Sequence, residues 1–201
     1  QTSTNPSICS GNSITVGSST YTVSGTYIDT LSTSFGCDSI ITTNLTVNTN
    51  PIITISADSI SCNSSCDGVA TVSVQNPGGN SFLWNTGAST QNINSLCPGD
   101  YWVTVTDPFG CITTDTISIF EPTVISLGIP TTTDVLCNGD PTGTAILDIQ
   151  GGTPPYTEDW GALNSNALPA GTFQYTVYDV NGCFSSENVT ITEPPAISIL
   201  L

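Results

Sequence analysis

Apolar and hydroxyl-bearing residues alternate along two long stretches of this chain, and the two stretches share one pattern. The first places Ala70, Val72 and Val74, then Tyr101, Val103 and Val105, then Ile117 and Ile119 on single faces. The second repeats this with Ala145, Leu147 and Ile149, then Phe173, Tyr175 and Val177, then Val189 and Ile191. A period of two turns one set of side chains to a core and leaves Thr or Ser in water, so each segment predicts a half-buried β-strand. Breaker clusters fall between the strands: Asn76-Pro77-Gly78-Gly79, Asp107-Pro108-Phe109-Gly110, Gly151-Gly152-Thr153-Pro154-Pro155 and Asp179-Val180-Asn181-Gly182. No segment carries the 3.6-residue period of a helix. The expected fold is all-β, in tandem immunoglobulin-like (Greek-key) β-sandwich modules stapled by disulfides; a small open barrel is the alternative.

The spacing of the two copies sets module boundaries. Gly99 and Cys111 are 12 residues apart, as are Gly171 and Cys183, and Pro122 and Pro194 are 72 apart. This places β-sandwich repeats at 51–122 and 123–194. Residues 1–50 hold a shorter unit, with a Gly-Cys turn at Cys37 followed by alternation over Ile41, Thr43, Leu45 and Val47. It is a small β module or the later part of one that begins upstream. Residues 195–201 resemble the strand that opens each repeat after a proline. They are expected to start a following module or to act as a donor strand for a neighbour.

Charge narrows the possible partners. The chain has no Lys, Arg or His against 16 Asp plus Glu, a net charge of −16. Without cations it cannot neutralise phosphates, which excludes nucleic acid and anionic headgroups as electrostatic partners. No apolar run is long enough to span a membrane as a helix, so no membrane insertion is expected. The wet surface is supplied by 33 Thr and 25 Ser. Ser-His-Asp, Ser-Lys and Cys-His nucleophiles each need a residue type that is absent, so no enzyme and no catalytic residue are expected. A carboxylate pair is the remaining route to acid–base chemistry, and Glu121, Glu193, Glu158 and Asp159 form no such motif.

Eight cysteines and no methionine point to an oxidising, extracellular compartment. The repeat register predicts equivalent bridges Cys62–Cys111 and Cys137–Cys183, leaving Cys66–Cys97 and Cys9–Cys37. Each would be worth roughly 3–4 kcal/mol through the unfolded chain. A four-cysteine zinc site at Cys62, Cys66, Cys97 and Cys111 is disfavoured, because Cys66 and Cys97 have no counterpart in the later repeat. No metal and no cofactor are implied. The acidic loops at Asp134/Asp140 and Asp107/Asp179 offer oxygen ligands for calcium but lack a full ligand spacing, and the Asp-x-Asn-Gly run serves equally well as a turn.

The run Gly-Thr-x-x-x-Thr-Val-x-Asp-x-x-Gly-Cys ending at Cys183, the GGTPPY segment at 151–156, Trp160 and the closing Thr-Glu-Pro resemble the SprB-type repeats of Bacteroidota cell-surface adhesins. The likeness spans roughly residues 51–194 and is best in the later repeat; the earlier one replaces GGTPPY with NPGGNSF and adds Cys66 and Cys97. It implies a type IX-secreted tandem-repeat protein at the cell surface, in adhesion, gliding or matrix building. The expected partners are copies of itself or adjacent modules, head to tail, and glycans. The expected function is a structural segment of an extracellular fibre or adhesin; a glycan- or surface-binding module is the alternative. Asp followed by Ser or Thr and an aliphatic residue fits the O-glycosylation pattern of such bacteria, which selects Thr30, Ser39, Ser59 and Thr116. Asn44, Asn63 and Asn188 occupy Asn-x-Ser/Thr sequons. Among aromatics, Trp84 and Trp160 are expected in the cores, whereas Trp102 lies on an outward face and is the binding candidate.

Overall fold

The computed structural model describes residues 2–32, 38–75 and 78–198. Its described residues are strands, turns and irregular segments, with no helix. They group into two compact units: residues 1–58, 69–94 and 99–118 form one, and residues 59–68, 95–98 and 119–201 the other. Among the described residues, the strand ladders fall within residues 1–50, 51–122 or 123–194.

In the first unit, the opening strands β1 (Thr2–Thr4) and β2 (Ser7–Cys9) are separated at Asn5-Pro6 and both run parallel to β6 (Asp38–Asn48). The opposite edge of β6 pairs antiparallel with β5 (Gly25–Ser32). A two-stranded ladder of β3 (Ile14–Val16) and β4 (Ser19–Tyr21) lies outside this sheet. Alternation along β6 buries Thr43 and Leu45, as its pattern requires. The parallel pairing of the chain's first strands is not written in that pattern.

The next segment forms two three-stranded sheets. One has the order β10 (Asn92–Leu96), β8 (Gly68–Val74), β7 (Ile53–Asp58); the other has β12 (Ile112–Ile119), β11 (Gly99–Thr106), β9 (Ser81–Trp84). The chain therefore changes sheets after β8, after β9 and after β10. That is the immunoglobulin order of strands A, B and E on one sheet and C, F and G on the other, with strand D absent. Ala70, Val72, Val103 and Val105 are fully buried, and Trp84 at the end of β9 is 2 % exposed. Trp84 donates through Nε1 to the Thr90 carbonyl at 2.9 Å, which satisfies its one polar atom.

The second unit repeats this order with a broken first pair. β13 (Ser126–Leu127) pairs with β16 (Ile149–Gln150), and β14 (Thr131–Thr133) with β15 (Thr144–Ile146). The expected continuous strand through Ala145, Leu147 and Ile149 is interrupted at Leu147-Asp148. Pro130, opposite the break, has no N–H to give a ladder, and the Asp148 side chain folds against Gly128. The equivalent of β10 shrinks to a single bridge between Gly143 and Leu168. The far sheet is intact: β17 (Thr157–Asp159), β18 (Gly171–Tyr178) and β19 (Phe184–Ile191). Its core joins Val135, Ala145, Trp160, Leu168, Tyr175, Val177, Val189 and Ile191, with Trp160 stacked on Tyr175 at a centroid distance of 5.0 Å. Residues 192–198 lie in no strand and Ile197 is 94 % exposed; residues 199–201 of the expected final strand fall outside the described residues.

Candidate functional site: the cystine-linked turns

Three cysteines open a module at the same kind of turn. The carbonyl of Cys9 accepts from Asn12 N–H at 3.0 Å, that of Cys62 from Ser65 at 3.0 Å, and that of Cys137 from Asp140 at 3.1 Å. The third residue of each turn has a left-handed backbone: Gly11 at φ 90°, Ser64 at 63° and Gly139 at 88°. Glycine suits this conformation at two of the three turns, and Ser64 holds it with its Oγ donating to Asn63 Oδ1.

The end of a module clamps its own opening turn. Asn63 Nδ2 donates to the Pro122 carbonyl and Ser64 N–H to Glu121 Oε2, at 3.1 and 3.0 Å. In the later repeat, Asn138 Nδ2 donates to the Pro194 carbonyl and Gly139 N–H to Glu193 Oε2, at 3.2 and 2.9 Å. The recurring Glu-Pro thus has a local structural role. Two further carboxylates brace the same regions. Asp67 accepts from Ser61 Oγ and N–H, which holds its pKa below the ordinary 3.8. Asp134 accepts from Thr192 N–H and is lowered for the same reason.

A second kind of turn joins the last two strands of each repeat. Asp107 Oδ1 accepts from Phe109 and Cys111 N–H, and Asp179 Oδ1 accepts from Asn181 and Cys183 N–H, all between 2.8 and 3.0 Å. Asp179 Oδ2 also accepts from Thr153 N–H at 3.0 Å. Backbone donors therefore already engage the two carboxylates considered for calcium in these turns. Among the described residues no three metal-ligating side chains cluster.

Disulfides join the two kinds of turn. Cys9 is bonded to Cys111 with a Cα–Cα distance of 5.4 Å, and Cys62 to Cys183 at 5.6 Å. Asn181 Nδ2 donates to the Ser61 carbonyl beside the second bridge, at 3.1 Å. Cys66 is bonded to Cys97. The first two pairings replace the expected Cys9–Cys37, Cys62–Cys111 and Cys137–Cys183. Cys37 lies outside the described residues, but Cys9 is engaged elsewhere.

Strand length explains the correction. Cys183 directly precedes β19, eight residues long, and Glu193 beyond that strand touches the turn of Cys137. At 3.3 Å per residue the two cysteines sit at opposite ends of a strand of about 26 Å, and a disulfide requires Cα atoms within about 7 Å. The same argument separates Cys62 from Cys111, which precedes the eight-residue β12. Cys62, Cys66, Cys97 and Cys111 are all in disulfides, so they form no zinc site.

The remaining candidates are dispersed. Thr30, Ser39, Ser59 and Thr116 are all exposed. Trp102 on β11 is 49 % exposed, and Leu83, opposite Thr104 two residues further along, is 57 % exposed. A crevice beside the Cys62–Cys183 bridge is lined by Pro122, Val124, Ile125, Gly152, Asp179 and Phe184. Its one carboxylate is Asp179, both oxygens of which accept backbone N–H groups. No described helix is long and apolar enough to cross a membrane.

Strand order and cystine placement define a disulfide-bonded protein of tandem immunoglobulin-like sandwiches. Within it, residues 129–160 match the SprB repeat family model, in the part of the chain where the sequence likeness is best. No curated protein matches the chain. Among solved structures it is similar to the N-terminal eight Ig domains of Down Syndrome Cell Adhesion Molecule, at 12 % identity and TM-score 0.44, covering 91 % of this chain and 31 % of that one. A three-Ig titin segment carrying an E-to-A mutation gives 15 % identity and TM-score 0.37, covering 86 % and 75 %. Sidekick-1 immunoglobulin domains 1–5 give 11 % and 0.34, covering 96 % and 59 %. The chain spans about a third of the first of these, and the immunoglobulin-like assignment rests on the strand order above.

Proposed function

We propose that this chain is a structural segment of an extracellular, cell-surface fibre or adhesin, in which covalently joined repeats act as a protease-resistant spacer. The observation that carries this reading is the repeated bridge from an opening turn to the Gly-Cys turn of the next repeat. A recognition module gains from free loops, whereas here the opening turns of Cys9 and Cys62 and the turns of Cys111 and Cys183 are joined by disulfides. The SprB match supports placement at the cell surface. A chain without cations, rich in exposed hydroxyls, also supports glycosylation at Thr30, Ser39, Ser59 and Thr116, where sugars would add the hydration that mixed charges usually provide. The exposed Ile197 supports pairing of the segment after Pro195 with an adjacent module or a second copy. Electron microscopy of native material tests the reading: filaments or long thin projections are expected, and compact particles would refute it. Peptide masses from the same material decide the four glycosylation sites.

The exposed pair Trp102 and Leu83 favours a second reading, adhesion through a flat apolar patch that stacks on sugar rings. Glycan-array binding abolished by Trp102→Ala, with the melting temperature unchanged, would favour it over the spacer.

A further inference from the structure

The bridges form a series with one member open. Cys9, the opening cysteine of the first module, bonds Cys111, the turn cysteine of the next, and Cys62 bonds Cys183 in the same sense. Cys137 is the third opening cysteine, and among the described residues it is the one without a disulfide. Its turn has the same carbonyl-to-N–H closure, the same left-handed third residue and the same Glu-Pro clamp as that of Cys62. Only its surroundings differ. Cys62 and Cys9 are half-buried, whereas Cys137 is exposed and its neighbour Leu136 is 80 % exposed.

We infer that Cys137 is the upstream half of a further inter-module disulfide, whose partner is the Asp-x-x-Gly-Cys turn cysteine of another repeat of this type. This extends the spacer reading and rests on it for the supply of a further repeat. Bond formation converts two thiols to one disulfide and passes two protons and two electrons to a disulfide oxidant. The Cys137 thiolate first attacks a sulfur of the oxidant and expels one thiolate. The turn cysteine's thiolate then attacks Cys137 Sγ and expels the second, leaving the oxidant as two thiols.

The experiment extends the chain by a second copy of residues 123–194 placed directly after Pro194. The protein is refolded in a mixture of reduced and oxidised glutathione, glutathione caps are removed with glutaredoxin and reduced glutathione, and the product is alkylated without further reduction. In the parent chain Cys137 is expected to label fully. In the extended chain its labelling is expected to fall to a trace, its peptide to be linked to the added turn cysteine, and the label to move to the added opening cysteine. A second variant, with the added turn cysteine changed to serine, is expected to restore labelling of Cys137. In each sample an intact Cys62–Cys183 peptide certifies folding. Full labelling of Cys137 in the folded extended chain overturns the inference, as does its protection in the serine variant.

Native material separates the sources of the partner. A cross-linked Cys137 peptide whose protein keeps its gel mobility on reduction places the partner in the same polypeptide, and a fall in mass places it in a second copy; both support the bridge. Recovery of Cys137 as a free thiol, or bonded to Cys183 of its own repeat, overturns it. A bridge found without filaments would instead sink the spacer reading and leave the disulfide standing.

Discussion

Replacing Cys183 with serine separates the observed pairing from the one the repeat register suggests. The Cys62–Cys183 bridge closes 121 residues. With Cys9–Cys111 and Cys66–Cys97 also closed, the path between its ends shortens to roughly 90 residues, and the chain-entropy relation gives about 4–5 kcal/mol for that loop. The unit that holds both cysteines has about 100 residues, for which each kcal/mol moves the melting temperature by about 4–8 °C. A fall of about 15–40 °C is therefore expected in a thermal melt of Cys183→Ser followed by near-ultraviolet circular dichroism. Cys62 should become open to alkylation at the same time, and Cys137 should label as in the parent. The control is Cys137→Ser, which removes an exposed, unbonded thiol and should change stability by no more than about 0.5 kcal/mol. Pairing within one repeat would make these two variants equally damaging. A Cys183→Ser protein that melts within about 5 °C of the parent, or one in which Cys62 stays protected, would refute the reasoning.

Trypsin should leave the reduced, denatured chain whole, since it has no Lys or Arg, and any fragment on a gel from pure enzyme contradicts the sequence. Gly143→Ala would put a Cβ 2.6 Å from Ile191 Cγ2 and 2.9 Å from the Leu168 carbonyl, and urea titration should show a loss of about 1–3 kcal/mol. Gly68→Ala meets the equivalent Ile119 Cγ2 and Leu96 carbonyl at 3.0 Å each, so its loss should be smaller. Asp67 and Asp134 have lowered folded-state pKa values through hydrogen bonds from Ser61 and Thr192. Their stabilisation is full above the ordinary value of 3.8 and is lost as pH falls through the lower folded-state value. The melting difference between the parent and Asp67→Asn should accordingly be largest near neutrality and close in strong acid; a constant gap would show that the charge plays no part.

Alternation and turn residues made most of each sandwich legible. The buried positions Ala70, Val72, Val103, Val105, Tyr175, Val177, Val189 and Ile191 are those a period of two selects. Trp84 and Trp160 are interior, as their matching positions imply. The Leu147-Asp148 break was less visible, because it originates in Pro130 on the partner strand rather than in the residues that break. Cystine pairing was illegible for a different reason. A repeat register shows that Cys62 and Cys137 are equivalent, as are Cys111 and Cys183, but it is silent on whether equivalents bond within a repeat or to the next. The deciding signal was the alternating run between Cys183 and Glu193, long enough to separate the two cysteines of a repeat by a full strand.

The choice of a covalent junction follows from the charge. Each repeat is acidic and none carries a cation, so an ion pair between repeats cannot form and the net charge of −16 works against their association. Salt screens that repulsion, with a Debye length of about 8 Å at physiological ionic strength, but supplies no attraction. A disulfide from one repeat's opening turn to the next repeat's Gly-Cys turn needs no ion pair. Both of its cysteines sit on turns fixed from within the repeat, by Glu-Pro on one side and by an aspartate on the other. The junction's chemistry is thus independent of salt, and its weak point is reduction. Melting of the oxidised chain should change little between low and high salt, whereas a reductant should lower it sharply at either. A junction that loosened with salt while its disulfides stayed intact would require an electrostatic contact that this sequence cannot provide.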